Sequence, residues 1–195
     1  KKSLIAIRDF LIVALVNVNK KIASIQNKLA GQDVDGWLLY DNHGSNRFVR
    51  SILDIPSHML TRRFFYWIPK EGEPQKILHK IEAESLDLMP GKINLYCSRK
   101  ELEEAIHKVL KEAKKILMEY SPRAANPQVS VLDAGTFELI HELGIEILSS
   151  ADLLQNFTSI LDQRQIASHL EAAAVVQKSV QNAWSFIAES VHQGR

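Results

Sequence analysis

The chain of 195 residues contains a single cysteine, Cys97. One cysteine excludes an intrachain disulfide and the cysteine-rich zinc sites, and it is typical of a reducing compartment, so a cytoplasmic location is expected. An excess of either charge is also missing, because 24 basic and 23 acidic side chains leave a formal net charge of +1. That balance offers no broad electrostatic surface for nucleic acid. Cys97 lies in an apolar predicted strand and is interpreted as an inert core residue rather than a nucleophile.

The sequence also lacks the short motifs of common catalytic sites. It has no Gly-x-Ser-x-Gly elbow, no Walker A loop and no dinucleotide-binding fingerprint. The segment beginning at His141 and Glu142 starts like the zinc motif His-Glu-x-x-His, but Ile145 stands where the second histidine is required. We therefore expect no metal and no cofactor within this chain.

Long apolar runs are limited to the N-terminus, where residues 3–18 are almost continuously apolar but are interrupted by Arg8 and Asp9. A membrane-spanning helix needs about 20 apolar residues, so no membrane span is expected. We interpret residues 1–20 as an apolar helix that packs or oligomerises. A targeting or membrane-surface role remains the alternative.

Periodicity and turn residues predict alternating helices and strands through the rest of the chain. The alternation predicts an α/β domain, and an antiparallel hairpin within it makes the sheet mixed, flanked by helices. The predicted helices are Lys20–Leu29, a segment from the polar loop through Leu53, Ser98–Leu117, Thr136–Leu143, Asp152–Phe157 and Asp162–Ser190. The predicted strands are Trp37–Tyr40, Phe64–Ile68, Gln75–His79, Ile93–Cys97, Val129–Leu132 and Ile145–Leu148.

Two pairs of polar residues flank the predicted hairpin. Arg62 and Arg63 enter its first strand from a loop, where two guanidinium groups can clamp a carboxylate; alternatively, one pairs with a structural acid and the other is solvated. His79 and Glu82 follow its second strand, where they can orient a partner group or assist proton transfer. An edge-strand histidine and a helix-capping acid explain that second pair as well.

A polar loop, Asp41–Asn46, follows the first predicted strand, at the position where open α/β sheets bind ligands. His43 and Asn46 are candidates for contacting a substrate or a partner domain. Capping of the next helix by Asn42 or Ser45 explains the polar run equally well.

Several segments, in this order, carry a resemblance to a known family. The chain resembles the N-terminal domain of the creatinase/prolidase/Xaa-Pro aminopeptidase family, the pita-bread metallopeptidases, from about Lys21 to Ala188. The segments are Asp-Gly-Trp-Leu-Leu-Tyr at 35–40, Asn46 opening a helix, Thr-Arg-Arg-Phe-Phe-Tyr-Trp-Ile-Pro at 61–69, Gly-Glu-Pro at 72–74 and His-Lys-Ile-Glu at 79–82. A weaker match at Arg164–Glu171 resembles the family's linking segment, with Ala167 in place of a lysine.

The resemblance implies a fold, a domain plan and a function. It implies a ribonuclease H-like layered domain at 21–160, then a linker helix at 161–195 that leads to a catalytic domain absent from this chain. In that domain the family binds two divalent ions, Mn, Co or Zn, and a bridging water attacks the peptide bond before proline. This chain alone is therefore expected to be inactive.

The resemblance also implies partners and site roles. The implied partners are the chain's own C-terminal catalytic domain, a second copy in a homodimer, and a proline-containing peptide. The loop His58–Arg63 is the candidate for reaching a neighbouring active site, followed by His79 and Glu82. Two other functions stay open: a stand-alone α/β interaction module, and the N-terminal domain of a creatinase-like amidinohydrolase.

Overall fold

The computed structural model of the chain describes residues 2–53, 55 and 60–194, with side chains described from residue 15 onward within those ranges. Two compact units divide the chain, Lys1–Thr158 and Ser159–Arg195. The elements are α1 (Lys2–Ala30), β1 (Gly36–Asp41), α2 (Arg47–Ile52), β2 (Phe64–Pro69), β3 (Gln75–His79), β4 (Lys92–Tyr96), α3 (Arg99–Leu110), β5 (Lys115–Met118), α4 (Ala134–His141), β6 (Glu146–Ser149), α5 (Ala151–Thr158) and α6 (Gln163–His192), with short 3-10 turns at Lys80–Glu82 and Pro122–Ala124.

The described strands form one six-stranded sheet in the order β4-β3-β2-β1-β5-β6. β2 is antiparallel to both its neighbours, β1 and β3. The pairs β1–β5, β5–β6 and β3–β4 are parallel. Every described strand except β2 therefore runs in the same direction. The amino end of β2 thus lies at the same end of the sheet as the carboxyl ends of the other five strands. The predicted mixed sheet flanked by helices is confirmed.

Helices cover both faces of the sheet. On one face, α1, α2 and α5 pack over alternate residues of the central strands, such as Trp37 and Tyr66. On the other face, α3 and α4 pack over the intervening residues, such as Leu38 and Phe65. Both central strands are thus buried on both sides, which explains why Phe64–Ile68 is continuously apolar rather than alternating.

The sequence-based prediction was wrong about the segment that follows α3. The helix that begins after Ser98 ends at Leu110 instead of continuing to Leu117, and the next apolar residues form β5 between β1 and β6. The predicted strand Val129–Leu132 is a turn and irregular chain. A continuous apolar triplet, Ile116–Met118, fits a strand buried on both faces, and helical spacing to Leu117 concealed it.

Two smaller predictions also differ from the structure. α1 is one continuous helix across Lys20, so residues 2–20 and the following predicted helix form a single element. How the apolar side chains of residues 2–14 pack lies outside the described side chains. Cys97 is exposed, because β4 ends at Tyr96 and is the edge strand of the sheet.

The second unit consists of α6 and the segment before it. Asp162 caps α6, because its carboxylate accepts the backbone N–H of Gln165 at 2.7 Å. The side-chain oxygen of Gln165 accepts the backbone N–H of Asp162 at 2.9 Å in return. This reciprocal pair is a capping box, which fixes where the helix begins. Among the described residues, no helix has both the length and the apolar character that crossing a membrane requires.

Candidate functional site

The end of the sheet where the carboxyl ends of the parallel strands meet holds six of the residues proposed from the sequence. The loop after β1 supplies two of them, the approach to β2 two more, and the end of β3 the last two. Arg62 and Arg63 lie there because β2 is antiparallel to its neighbours, which brings the start of that strand to the same end of the sheet. The residues are His43, Asn46, Arg62, Arg63, His79 and Glu82.

The loop after β1 is built around two buried polar side chains. The Asp41 carboxylate accepts the backbone N–H groups of Gly44 at 3.1 Å and Asn46 at 2.8 Å. The Asn46 side-chain oxygen accepts the N–H groups of Phe48 and Val49 and so caps α2. Capping is therefore performed by Asn46 rather than by Asn42 or Ser45. His43 is exposed, at a φ of 57° in the turn.

The Asn46 amide nitrogen extends this network into the core. It donates to the Tyr40 carbonyl at 2.8 Å and to Glu119 Oε2 at 2.7 Å. Because Asn46 is only 2% exposed and both ends of its amide are bonded, no group of its side chain is left to contact a substrate. Its observed role is to fix the loop that presents His43.

Glu119, at the end of β5, is the centre of the network and was not identified from the sequence. Its Oε1 accepts Trp37 Nε1–H at 2.7 Å and the Ser150 hydroxyl at 3.2 Å. Burial raises the pKa of Glu119 to about 7, although the hydrogen bonds from Trp37, Asn46 and Ser150 act in the opposite direction. An acid directly after an apolar triplet, Ile116–Met118, was the available signal, and the missed strand concealed it.

Glu82 organises the approach to β2. Its carboxylate accepts the Thr61 N–H at 2.8 Å, the Thr61 hydroxyl at 2.7 Å and the Arg62 N–H at 3.1 Å. Partial burial acts to raise the pKa of Glu82, but these hydrogen bonds outweigh it and hold the pKa below its usual value. Glu82 thus binds the backbone of Arg62. The first two residues of the proposed loop, His58 and Met59, lie outside the described residues.

The guanidinium groups of Arg62 and Arg63 are available for binding at this end of the sheet. Arg62 is exposed and Arg63 is half-buried, and neither side chain makes a hydrogen bond or an ion pair with a described residue. The backbone around them is held firmly, because the Tyr96 hydroxyl donates to the Arg63 carbonyl at 2.6 Å. His79 packs edge-on against Tyr96, with ring centroids 5.0 Å apart, and its Nδ1 accepts the Ile81 N–H.

A cleft of about 180 Å³ opens beside Arg63. Arg99, Asp133 and Thr136 are among the residues that line it. Arg99 is engaged with Glu103 at 2.7 Å, and the Asp133 carboxylate is engaged with Thr136. Burial acts to raise the pKa of Asp133, but the hydrogen bonds from Thr136 outweigh burial and lower that pKa. Arg63 is therefore the cation in this cleft with capacity to bind an anionic group.

The described residues place no three His, Cys, Asp or Glu side chains where they could hold a metal ion together. His141, from the incomplete zinc motif, stacks against Phe137 with ring centroids 5.7 Å apart. The site holds the backbone of a loop through Glu82 and leaves the guanidinium groups of Arg62 and Arg63 available to bind a charged group.

No protein-family model matches the sequence, and no curated protein matches it either. Solved structures match in fold. The creatinase/prolidase N-terminal domain of an X-Pro dipeptidase from Streptococcus pyogenes superposes with a TM-score of 0.55 and 15% identity, covering 71% of this chain and 98% of that one. The chain has the creatinase/prolidase N-terminal fold. The fold predicted from the resemblance is thus confirmed.

Longer proteins with this fold match as well. A prolidase from Thermococcus sibiricus superposes with a TM-score of 0.59 and 19% identity, covering 85% of this chain and 43% of that one. For a dipeptidase from Pyrococcus horikoshii OT3 the TM-score is 0.56 at 13% identity, and the coverage is 85% and 44%. The chain thus spans less than half the length of these proteins, and the creatinase/prolidase N-terminal fold is what it shares with them.

Proposed function

We propose that this chain is the non-catalytic N-terminal domain of a metal-dependent Xaa-Pro peptidase, which serves dimerisation and substrate access. One observation carries the proposal: isolated N-terminal domains of dipeptidases match it over 96–98% of their length. The proposed catalytic domain follows Arg195 and binds two divalent metal ions. A cytoplasmic location is part of the proposal, since one cysteine, exposed Cys97, suits a reducing compartment.

The coverage of this chain supports a continuation beyond the N-terminal domain. The isolated domains cover 70–71% of it. The longer prolidases and dipeptidases cover 83–88% of it. The difference is comparable in size to the second unit, Ser159–Arg195. We infer that α6 belongs to the connection with the proposed catalytic domain.

The surface of α6 supports the same inference. Its large apolar side chains are exposed, with Trp184 at 67% and Phe186 at 71%. The stripe predicted from the sequence, which includes Ile166, Leu170, Val176, Val180 and Ile187, is exposed as well. An amphipathic helix normally buries such a stripe. In our proposal the catalytic domain covers it.

Activity assays test the proposed function directly. The full-length gene product is expected to release the N-terminal residue from Xaa-Pro peptides in the presence of Mn, Co or Zn, and a chelator is expected to abolish the release. The 195-residue chain alone is expected to be inactive, because the metal ions of the proposed reaction need ligands that its described residues do not bring together. Cleavage of a small guanidino compound instead of the peptide would identify an amidinohydrolase, and a gene that stops at Arg195 would favour the interaction module.

Substitution of the two arginines tests the substrate-access role in the full-length protein. We expect Arg62→Ala and Arg63→Ala each to lower kcat/KM about tenfold, since a guanidinium that makes no hydrogen bond or ion pair with a described residue can bind a substrate carboxylate. The lysine variants should lose less, because they keep the charge but not the two-pronged geometry. Lys114→Ala is the control, because Lys114 lies just before β5, at the opposite end of the strands. Kinetics equal to those of the control would remove the arginines from the proposal.

A further inference from the structure

β4 is an edge strand with unpaired backbone groups. Its inner side pairs with β3, and the Lys92 N–H donates to the Pro74 carbonyl at 3.0 Å. Peptide groups of successive strand residues point to opposite sides, so those of Ile93 and Leu95 point away from the sheet. The Cys97 N–H, next in that series, is already bonded to Glu101 Oε2 at 2.7 Å. Two residues of β4 therefore offer a free hydrogen-bonding edge.

The side chains of the same two residues are unusually exposed for apolar strand residues. Ile93 is 50% exposed and Leu95 is 43% exposed. Both lie on the face of the sheet that α1 covers over the central strands. The opposite edge strand differs, because Ile147 of β6 is 8% exposed. Natural edge strands are usually protected by charge, proline or cover. The outer residues of β4 carry none of these devices.

A charged groove runs beside this edge. It has a volume of about 350 Å³ and lies between β4 and α3, lined by Glu101, Glu104, Ala105 and Lys108 together with the strand. The acidic residues lie toward one end of this helix face and the lysine toward the other. Ala105 is buried against the core of its own chain, and Lys108 Nζ donates to Asn94 Oδ1 of β4 at 3.2 Å.

We propose that β4 pairs antiparallel with β4 of a second copy, on a two-fold axis through Asn94. This register places Ile93 opposite the Leu95 of the partner subunit and makes four intermolecular backbone hydrogen bonds. It joins the two six-stranded sheets into one continuous sheet. The side chains of Ile93 and Leu95 become cross-strand neighbours and lose their exposure.

The chemistry of this edge favours a second copy over an unrelated extended peptide. The register is self-complementary, since each apolar residue meets an apolar residue and Asn94 meets its own equivalent. Lys108 Nζ already donates to Asn94 Oδ1 within its own chain, at 3.2 Å, so the backbone edge and the two apolar side chains carry the pairing. This inference rests on the dimer role in the proposed function and assigns that role a surface.

Charge introduced at the edge tests the pairing in the 195-residue chain. The wild-type chain is expected to show a monomer–dimer equilibrium by sedimentation or light scattering up to about a hundred micromolar. Ile93→Lys combined with Leu95→Lys should raise the dimer dissociation constant at least roughly a hundredfold, because like charges then face each other across the pair. Ile81→Lys, at an apolar position that is 72% exposed outside the strand, is the control and should leave the constant unchanged. Thermal melts of the variants as monomers show whether each is folded.

A cross-link tests the register in a Cys97→Ser background. Asn94→Cys is expected to form a disulfide-linked dimer under mild oxidation, since residues of a non-hydrogen-bonded antiparallel pair have Cα atoms about 4.5 Å apart. Lys92→Cys should stay monomeric, because its two copies would lie about 13 Å apart along the strands.

Three outcomes would overturn the inference. A dimer that withstands the two lysines would overturn edge pairing and leave the dimer role intact. A chain that stays monomeric at every concentration would overturn both. Binding of an extended peptide along β4 without self-association would replace the second copy by a peptide ligand.

Discussion

Replacing Glu119 with alanine is expected to lower the free energy of unfolding by about 3 to 5 kcal/mol. The carboxylate is 1% exposed and accepts hydrogen bonds from Trp37, Asn46 and Ser150. Its removal leaves these buried donors without that acceptor, and each unsatisfied group costs about 1 to 3 kcal/mol. Chemical denaturation monitored by tryptophan fluorescence measures the loss.

The loss should also reach the candidate site. Asn46, one of the three donors, caps α2 and holds the loop after β1, so its loosening should expose that loop to proteases. Glu71→Ala is a matched control, because Glu71 is exposed in the turn between β2 and β3. Its effect should stay within about 0.5 kcal/mol. A Glu119→Ala chain as stable as this control would mean that water replaces the carboxylate in the network.

Most of the sheet could be predicted from the sequence because local signals agree with the tertiary structure there. Gly36–Asp41 and Phe64–Pro69 are apolar runs bounded by turn residues, and both form central strands. Ser98 caps α3 as its hydroxyl accepts the Glu101 N–H at 3.2 Å. These elements depend on neighbours in sequence, so the pattern alone was sufficient.

β5 could not be predicted because its identity depends on distant residues. Lys115–Met118 is only four residues long, and its apolar residues also continue the helical spacing of α3. Its pairing with β1 and β6 decides in favour of a strand. Sequence periodicity has no access to that pairing.

The positions of the candidate residues could be predicted only in part for the same reason. Four candidates were selected from their positions around one hairpin, and the hairpin places them at one end of the sheet: Arg62, Arg63, His79 and Glu82. Asn46 was selected as a contact residue, yet its amide is buried between Tyr40 and Glu119. Its main partner comes from β5, which lies far away in the sequence, so no local pattern could reveal that its side chain is fully bonded.

The stability of the chain is expected to fall as the pH rises toward and through about 7, the pKa of Glu119 in the folded chain. Burial raises this pKa above the ordinary value of 4.5 that applies when the chain is unfolded. The folded chain therefore holds the proton more tightly, so the stabilisation is complete below the unfolded pKa and is lost as pH rises through the folded one. The loss should total about 3 kcal/mol between pH 4.5 and pH 8.

Other carboxylates act in the opposite direction at lower pH. Hydrogen bonds outweigh burial at Glu82 and Asp133 and lower their pKa values, so their stabilisation is lost as the pH falls. The unfolding free energy of the wild-type chain should therefore pass through a maximum on the acidic side of neutrality. Denaturation curves at half-unit pH steps would locate it.

Glu119→Gln separates the contribution of Glu119 from that of the other carboxylates. A glutamine does not titrate, so the variant should keep the acidic decline and lose the decline toward pH 8. It should be less stable than the wild type at pH 5, because a protonated acid can accept from Trp37 while donating to Ser150, whereas an amide nitrogen only donates. The difference between the two curves should then shrink as the pH rises. A constant difference across this range would mean that Glu119 is ionised throughout, and that the three donors outweigh its burial.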